Sequence, residues 1–246
     1  MSRAVPRHRG PDSAAQHRGW LELVDISGPF LSLSVLCATW PTLNPLDKPQ
    51  RERLRTAHAN WLDDPTGGRH AWITYVLSDL LEWGDALRTS DLDALTVRAA
   101  EHDTEITPSF ALVAPGEEAK PDTVQMVGVI CPPGSTPTTR VPGSAWAATP
   151  VDRLARLCRH HEVELGLVSD GRWWVLLWAP RRHATTTVVF DAVSWPEAAE
   201  RDVVRAFTSL LSRRRFLGVP LSQQLVSLLR ASSDSQEEIP EALGVQ

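Results

Sequence analysis

Cysteine is scarce in this sequence, and its three copies (Cys37, Cys131 and Cys158) form no C-x-x-C pair and no metal-ligand spacing. Isolated thiols of this kind read as small buried hydrophobes in a reducing compartment, not as a disulfide framework or a zinc site. No run of about 18 apolar residues occurs, so no membrane-spanning helix is expected. A secretory signal is also missing, which gives the cytoplasm as the expected location. Phosphate-binding loops, Rossmann fingerprints and methyltransferase motifs are lacking. Ser144, in Gly143-Ser144-Ala145, has neither the second Gly nor the strand-turn-helix setting of a nucleophile elbow. An excess of positive charge is missing too: the formal net charge is -5, whereas a dedicated DNA grip is usually basic.

What is present is a globular composition. The 246 residues are 42% hydrophobic, enough for one large domain or a domain with an appendage. Ten Trp stand against one Tyr and five Phe, an unusual choice that reads first as core and rim packing.

Along the chain, residues 1–18 read as a mobile polar arm and 19–68 as a helical segment. A helix is predicted over Pro49 to Trp61, with Pro49 in its first turn. The spacing of Trp72, Ile73, Val76, Leu77, Leu80 and Leu81 predicts a helix from His70 to Trp83, ended by Gly84. Strands are expected at Asp91 to Ala99, Ile106 to Val113 and Val124 to Cys131, the last apolar on both faces and therefore central. Thr149-Pro150 caps and starts a helix. A strand at Leu165 to Val168 then leads through Asp170-Gly171 to a hairpin, Trp173 to Trp178 and Thr185 to Phe190. Ser194, Pro196 and Glu197 form a capping-box pattern for a helix running to about Arg215, and a last helix is expected from Leu221 to Ala231. Residues 69–232 would thus form the main α/β domain. Residues 233–246 would be an acidic tail or the start of a connector.

The order helix, three strands, helix, strand is that of the PD-(D/E)XK nuclease core. The stretch Ala147 to Trp178 resembles, more sharply, the N-terminal nuclease-like domain of single-chain restriction-modification proteins and type I restriction subunits. Pro150 to Cys158 matches that family's short helix after the catalytic strand. Ser169-Asp170-Gly171-Arg172-Trp173-Trp174-Val175-Leu176 matches its "TnGxxWxL" turn. Trp83-Gly84-Asp85 is similar to its "LLgW" element. The resemblance implies a restriction-endonuclease-like αβββαβ core with a mixed central sheet, an extra C-terminal hairpin and flanking helices. It also implies an adenine-specific DNA methyltransferase domain or subunit as partner.

The chemistry of that family needs two acids and a Lys around a divalent cation. Ser109 stands where the first acid is expected, after Pro108. Val129 and Cys131 occupy the third strand, where an E-x-K triplet is expected. The expected metal ligands are therefore none. The first reading is a catalytically degenerate module that positions DNA or docks a partner within a restriction-modification or phage-defence methyltransferase. The second is an active, Mg²⁺-dependent endonuclease with a site relocated to Glu82, Asp85 or Asp103. The third is a protein-interaction domain with no DNA role. Arg181 and Arg182 in a hairpin loop, and Arg213, Arg214 and Arg215 at a helix end, are the candidates for contact with DNA phosphates. His160 and His161 beside Cys158 point about 100° apart on a helix and make a poor ligand pair.

Overall fold

The computed structural model describes residues 12–132, 135–144, 146–181 and 183–242, with side chains as far as residue 235. The fold is mixed α/β. Its centre is a seven-stranded sheet of β1 (Asp25–Ser27), β2 (Leu87–Arg88), β5 (Phe110–Leu112), β6 (Met126–Ile130), β7 (Leu165–Ser169), β8 (Trp173–Trp178) and β9 (Thr186–Asp191), in spatial order β1-β9-β8-β7-β6-β5-β2. A small second sheet pairs β3 (Val97–Ala99) with β4 (Thr104–Ile106). The helices are α1 (Ser13–Leu21), α2 (Leu33–Thr39), α3 (Lys48–Asp63), α4 (Arg69–Tyr75), α5 (Pro150–His161), α6 (Arg201–Leu211), α7 (Arg213–Leu217) and α8 (Leu225–Ala242).

The expected helix–three strands–helix–strand order is present as α4, β2, β5, β6, α5 and β7. β2, β5 and β6 run antiparallel in turn, and β7 returns parallel to β6 after the α5 crossover. The β8–β9 hairpin then extends the sheet beside β7.

Local chemistry explains the regular parts. Thr149 caps α5 in a reciprocal capping box with Asp152, Pro150 takes the first turn, and Glu162 ends the helix in the left-handed region at φ 60°. Asp47 and Gln50 form the same device ahead of Pro49 on α3. Side chains alternate on β8: Trp174, Leu176 and Trp178 enter one core with α1–α4 and α6–α8, while Val175 and Leu177 enter the other with α5. Trp173 lies on the face opposite Trp174, as expected, half-buried under the guanidinium of Arg172 at 4.5 Å.

Several expectations are corrected. The first of the three strands between α4 and α5 that belong to the main sheet is the two-residue β2. The 91–99 segment forms a 3₁₀ turn at Asp93–Leu95 and then β3, outside the main sheet. The 106–113 strand is broken at Pro108, which has no N–H to give a ladder, so its halves join different sheets. The 70–83 helix becomes a π-helical turn at Val76–Leu80, where Leu81 N–H reaches Val76 at 3.0 Å. Ser194 does not cap a helix. Asp191 instead caps a 3₁₀ turn at Ala192–Ser194, Trp195 plunges into the core, and α6 begins only at Arg201. Burying an indole among Trp72, Trp174 and Phe207 outweighs a local capping signal worth about 1 kcal/mol.

Part of the stretch expected as a polar arm is helical. Residues 12–18 belong to α1 and its cap, with His17 fully buried; residues 1–11 lie outside the described residues. The 19–68 segment is not separate from the main domain, since β1 pairs with β9 and Trp20, Leu36 and Trp61 share one core with Leu229. Residues 233–242 continue α8. No helix among the described residues is long and apolar enough to cross a membrane.

Candidate functional site

In this topology the residues expected to carry nuclease chemistry meet where β5 begins and β6 ends. Phe110 pairs with Gly128, so Ser109 lies across from Val129. The Ser109 N–H donates to Gly128 O (2.7 Å), and its Oγ accepts the Ile130 N–H (2.9 Å). The hydroxyl thus fastens β5 to β6. Val129 packs its apolar side chain against the α5-side core. Cys131 is buried, and burial pushes its thiol up to about 12, with Asp170 adding to the rise and Arg69 opposing it.

The neighbouring end of β7 is held by hydrogen bonds from three side chains. Arg69, in the first turn of α4, donates through Nε to Asp170 O (2.8 Å) and through Nη2 to Cys131 O. Trp72 and Trp174 both donate their indole N–H to Gly171 O, at 2.7 and 3.2 Å. Within the turn, Ser169 Oγ accepts from Gly171 N–H (2.9 Å), and Asp170 Oδ1 accepts from the N–H groups of Arg172 and Trp173 (2.9 and 2.7 Å). Gly171 has φ +102°, a conformation that a side chain would strain.

These residues do not fit a hard divalent cation. Such an ion needs several converging oxygen ligands, mostly carboxylates. Here a committed hydroxyl, a valine, a protonated thiol and a guanidinium occupy the strand ends, and the Asp170 carboxylate is engaged in its own turn. Arg69 was not foreseen from the sequence. Its role depends on α4 crossing the ends of β6 and β7, a relationship without a local pattern.

The relocated candidates do not converge. Asp103 sits at φ 44° in the β3–β4 hairpin and pairs with Arg98 at 2.9 Å. Asp85 pairs with Arg213, and Glu82 is an exposed residue at φ 60° just after the π-helical turn. No three metal-ligating side chains cluster among the described residues.

The basic candidates are dispersed as well. Arg181 pairs with Glu162 at 3.0 Å, and Arg182 lies outside the described residues. Arg213, Arg214 and Arg215 do not complete the C-terminus of a long helix. They open the short α7 after a break at Ser212. Arg214 is exposed. Arg215 is corrected as a DNA contact: it is buried, donates to Gln223 O at 2.7 Å, and stacks 4.4 Å from the Trp40 ring centre. Near the end of α5, the ring Nε2 of His161 hydrogen-bonds to Leu95 O at 2.9 Å and Cys158 is fully buried, so these two do not form a metal pair.

Compared with known proteins, the chain matches no family model, no curated protein and no solved structure.

Proposed function

We propose that this chain is a nuclease-derived module without hydrolytic chemistry of its own, working within a DNA restriction-modification or phage-defence methyltransferase. The observation that supports this reading is the contrast at one place in the fold. The αβββαβ strand order leads to a strand end at Ser109, Val129 and Cys131, where Arg69 and a serine hydroxyl bind backbone instead of acids binding metal. Of the two roles open to such a module, docking a partner domain fits better than gripping DNA. Arg181 and Arg213 are engaged in ion pairs, and Arg215 is buried.

The test is incubation of the full chain with supercoiled plasmid in Mg²⁺ or Mn²⁺, paired with duplex DNA binding across a salt series. The expected outcome is no cleavage, with DNA affinity weak at every salt concentration. Cleavage that Glu82→Gln or Asp103→Asn abolishes would overturn the reading. Tight binding that falls steeply with salt would replace docking by DNA positioning.

A further inference from the structure

A cleft lies away from the strand ends, between α3, α6 and the turn that joins β9 to α6. Its volume is about 430 Å³, within the range typical of small-molecule sites. Four arginines line it: Arg51 and Arg55 from α3, and Arg201 and Arg205 from α6. The acid on the lining is Glu197, so the lining carries a net charge of +4 - 1 = +3 in a chain whose net charge is -5. Its floor includes Leu54, Val204 and the ring of Trp195.

The arginines divide into two kinds. Arg205 is held in place by the carbonyls of Leu43 and Asn44 and by Asp202, and Arg51 is held by the carbonyl of Leu46. Holding a guanidinium by backbone carbonyls fixes its orientation and leaves further N–H donors for a ligand. Arg55 and Arg201 are exposed, and among the described residues their side chains form no ion pair or hydrogen bond. Asp202 pairs with Arg205, which leaves Arg51, Arg55 and Arg201 facing one acid on the lining, Glu197, and an anion relieves the repulsion that remains.

We propose that this cleft binds a small phosphate ester. Guanidinium forks match phosphate oxygens in pairs, and the apolar floor suits a compact organic body. A cleft of this size encloses one small molecule and does not extend along a polymer backbone. The inference does not rest on the reading of the chain as nuclease-derived.

The test is calorimetric titration of the full chain, at constant ionic strength, with phenyl phosphate, phenol and inorganic pyrophosphate. Phenyl phosphate should bind at least about tenfold more tightly than phenol, as expected when charged hydrogen bonds are lost. R55Q/R201Q should weaken phenyl phosphate by about tenfold or more with an unchanged unfolding temperature, since both side chains are exposed. R181Q/R214Q should leave its binding unchanged. If the double variant is unstable, R55Q and R201Q singly should each weaken binding. The proposal is overturned if neither phosphate binds, if phenol binds equally well, or if the cleft variants bind as the wild type does. It is also overturned if duplex DNA binds in a manner dependent on Arg55 and Arg201 while the small phosphates do not, which would assign the cleft to nucleic-acid backbone.

Discussion

Arg69 donates to the carbonyls of both Cys131 and Asp170, so one side chain of α4 ties together the ends of the parallel pair β6 and β7. At these strand ends, where the proposed nuclease ancestry would place a metal, a cation serves as a structural clasp. Arg69→Ala should leave two carbonyls without their charged donor and destabilise the fold by about 1–3 kcal/mol. The shift in urea midpoint measures it, and an unchanged midpoint would show that water replaces the guanidinium at little cost.

Gly128 owes its identity to Phe110. A Cβ at position 128 would lie 1.9 Å from the Phe110 ring, with two more ring atoms within 2.4 Å. Gly128→Ala should therefore cost about 1–3 kcal/mol as the ring and strand shift to make room. The double variant G128A/F110L should be less destabilised than the sum of its two singles, because the smaller side chain yields the space. Strict additivity in a double-mutant cycle would mean that the strain is relieved elsewhere.

The thiols should separate by environment. Burial raises the Cys131 thiol to about 12 and raises that of Cys158 as well, and the latter packs wholly inside between α5 and β7. Only the thiolate reacts, so at pH 8 both should resist a disulfide reagent in the native protein. Cys37 is partly exposed and should react first. Timed titration should count one thiol in buffer and three in guanidinium chloride. Fast labelling of Cys131 in the native protein would contradict the closed strand end.

The parts of this fold that were legible in the sequence are those decided within a few residues. Thr149, Pro150 and Asp152 start α5 by themselves, and Gly171 permits the turn before β8. The parts that were not legible depend on distant partners. Ser194 and Glu197 are spaced as a cap, but Trp195 between them is drawn into a cluster with Trp72 and Phe207, and the local pattern gives way. β2 is too short to show a period, and the break at Pro108 is visible only once β3 pairs with β4. That Ser109, Val129 and Cys131 bring no acid to the strand ends was legible, because it is a matter of the sequence itself. The clasp at Arg69 and the four-arginine cleft were not, since each joins elements more than 60 residues apart.

His58 links acidity to stability. It is 5% exposed, its ring meets Ala192 O at 2.9 Å, and desolvation lowers its pKa below the ordinary 6.5 despite opposing hydrogen bonds. Unfolding frees the ring to take a proton near 6.5, whereas the folded ring takes one only at lower pH. Between those two values the unfolded chain binds more protons, so stability falls as pH drops through 6.5 and levels off below the folded value. His161 is lowered by burial in the same direction and adds to the slope. Denaturant midpoints from pH 7.5 to 6 should decline in the wild type and decline less in His58→Gln. An equal slope in the variant would assign the effect to His161 alone.

Adjacent arginines on α7 should behave oppositely. Arg214 is exposed, and Arg214→Ala should change stability by no more than about 0.5 kcal/mol, as for most surface substitutions. Arg215 is 9% exposed, donates to Gln223 O and lies over the face of Trp40. Its Nε has no hydrogen-bond partner, and burial lowers its pKa, so its charge is held at some cost that the stacking and the carbonyl bond offset. Arg215→Ala removes the stack, orphans a carbonyl and opens space beneath α7, and should cost about 2–4 kcal/mol. Arg215→Met keeps the length of the side chain and its contact with Trp40 while discarding the buried charge, so it should lose less than the Ala variant. If Met is as damaging as Ala, the guanidinium itself carries the stability. In that case the Arg215–Trp40 contact is chiefly a cation–π pair and not a matter of filled volume.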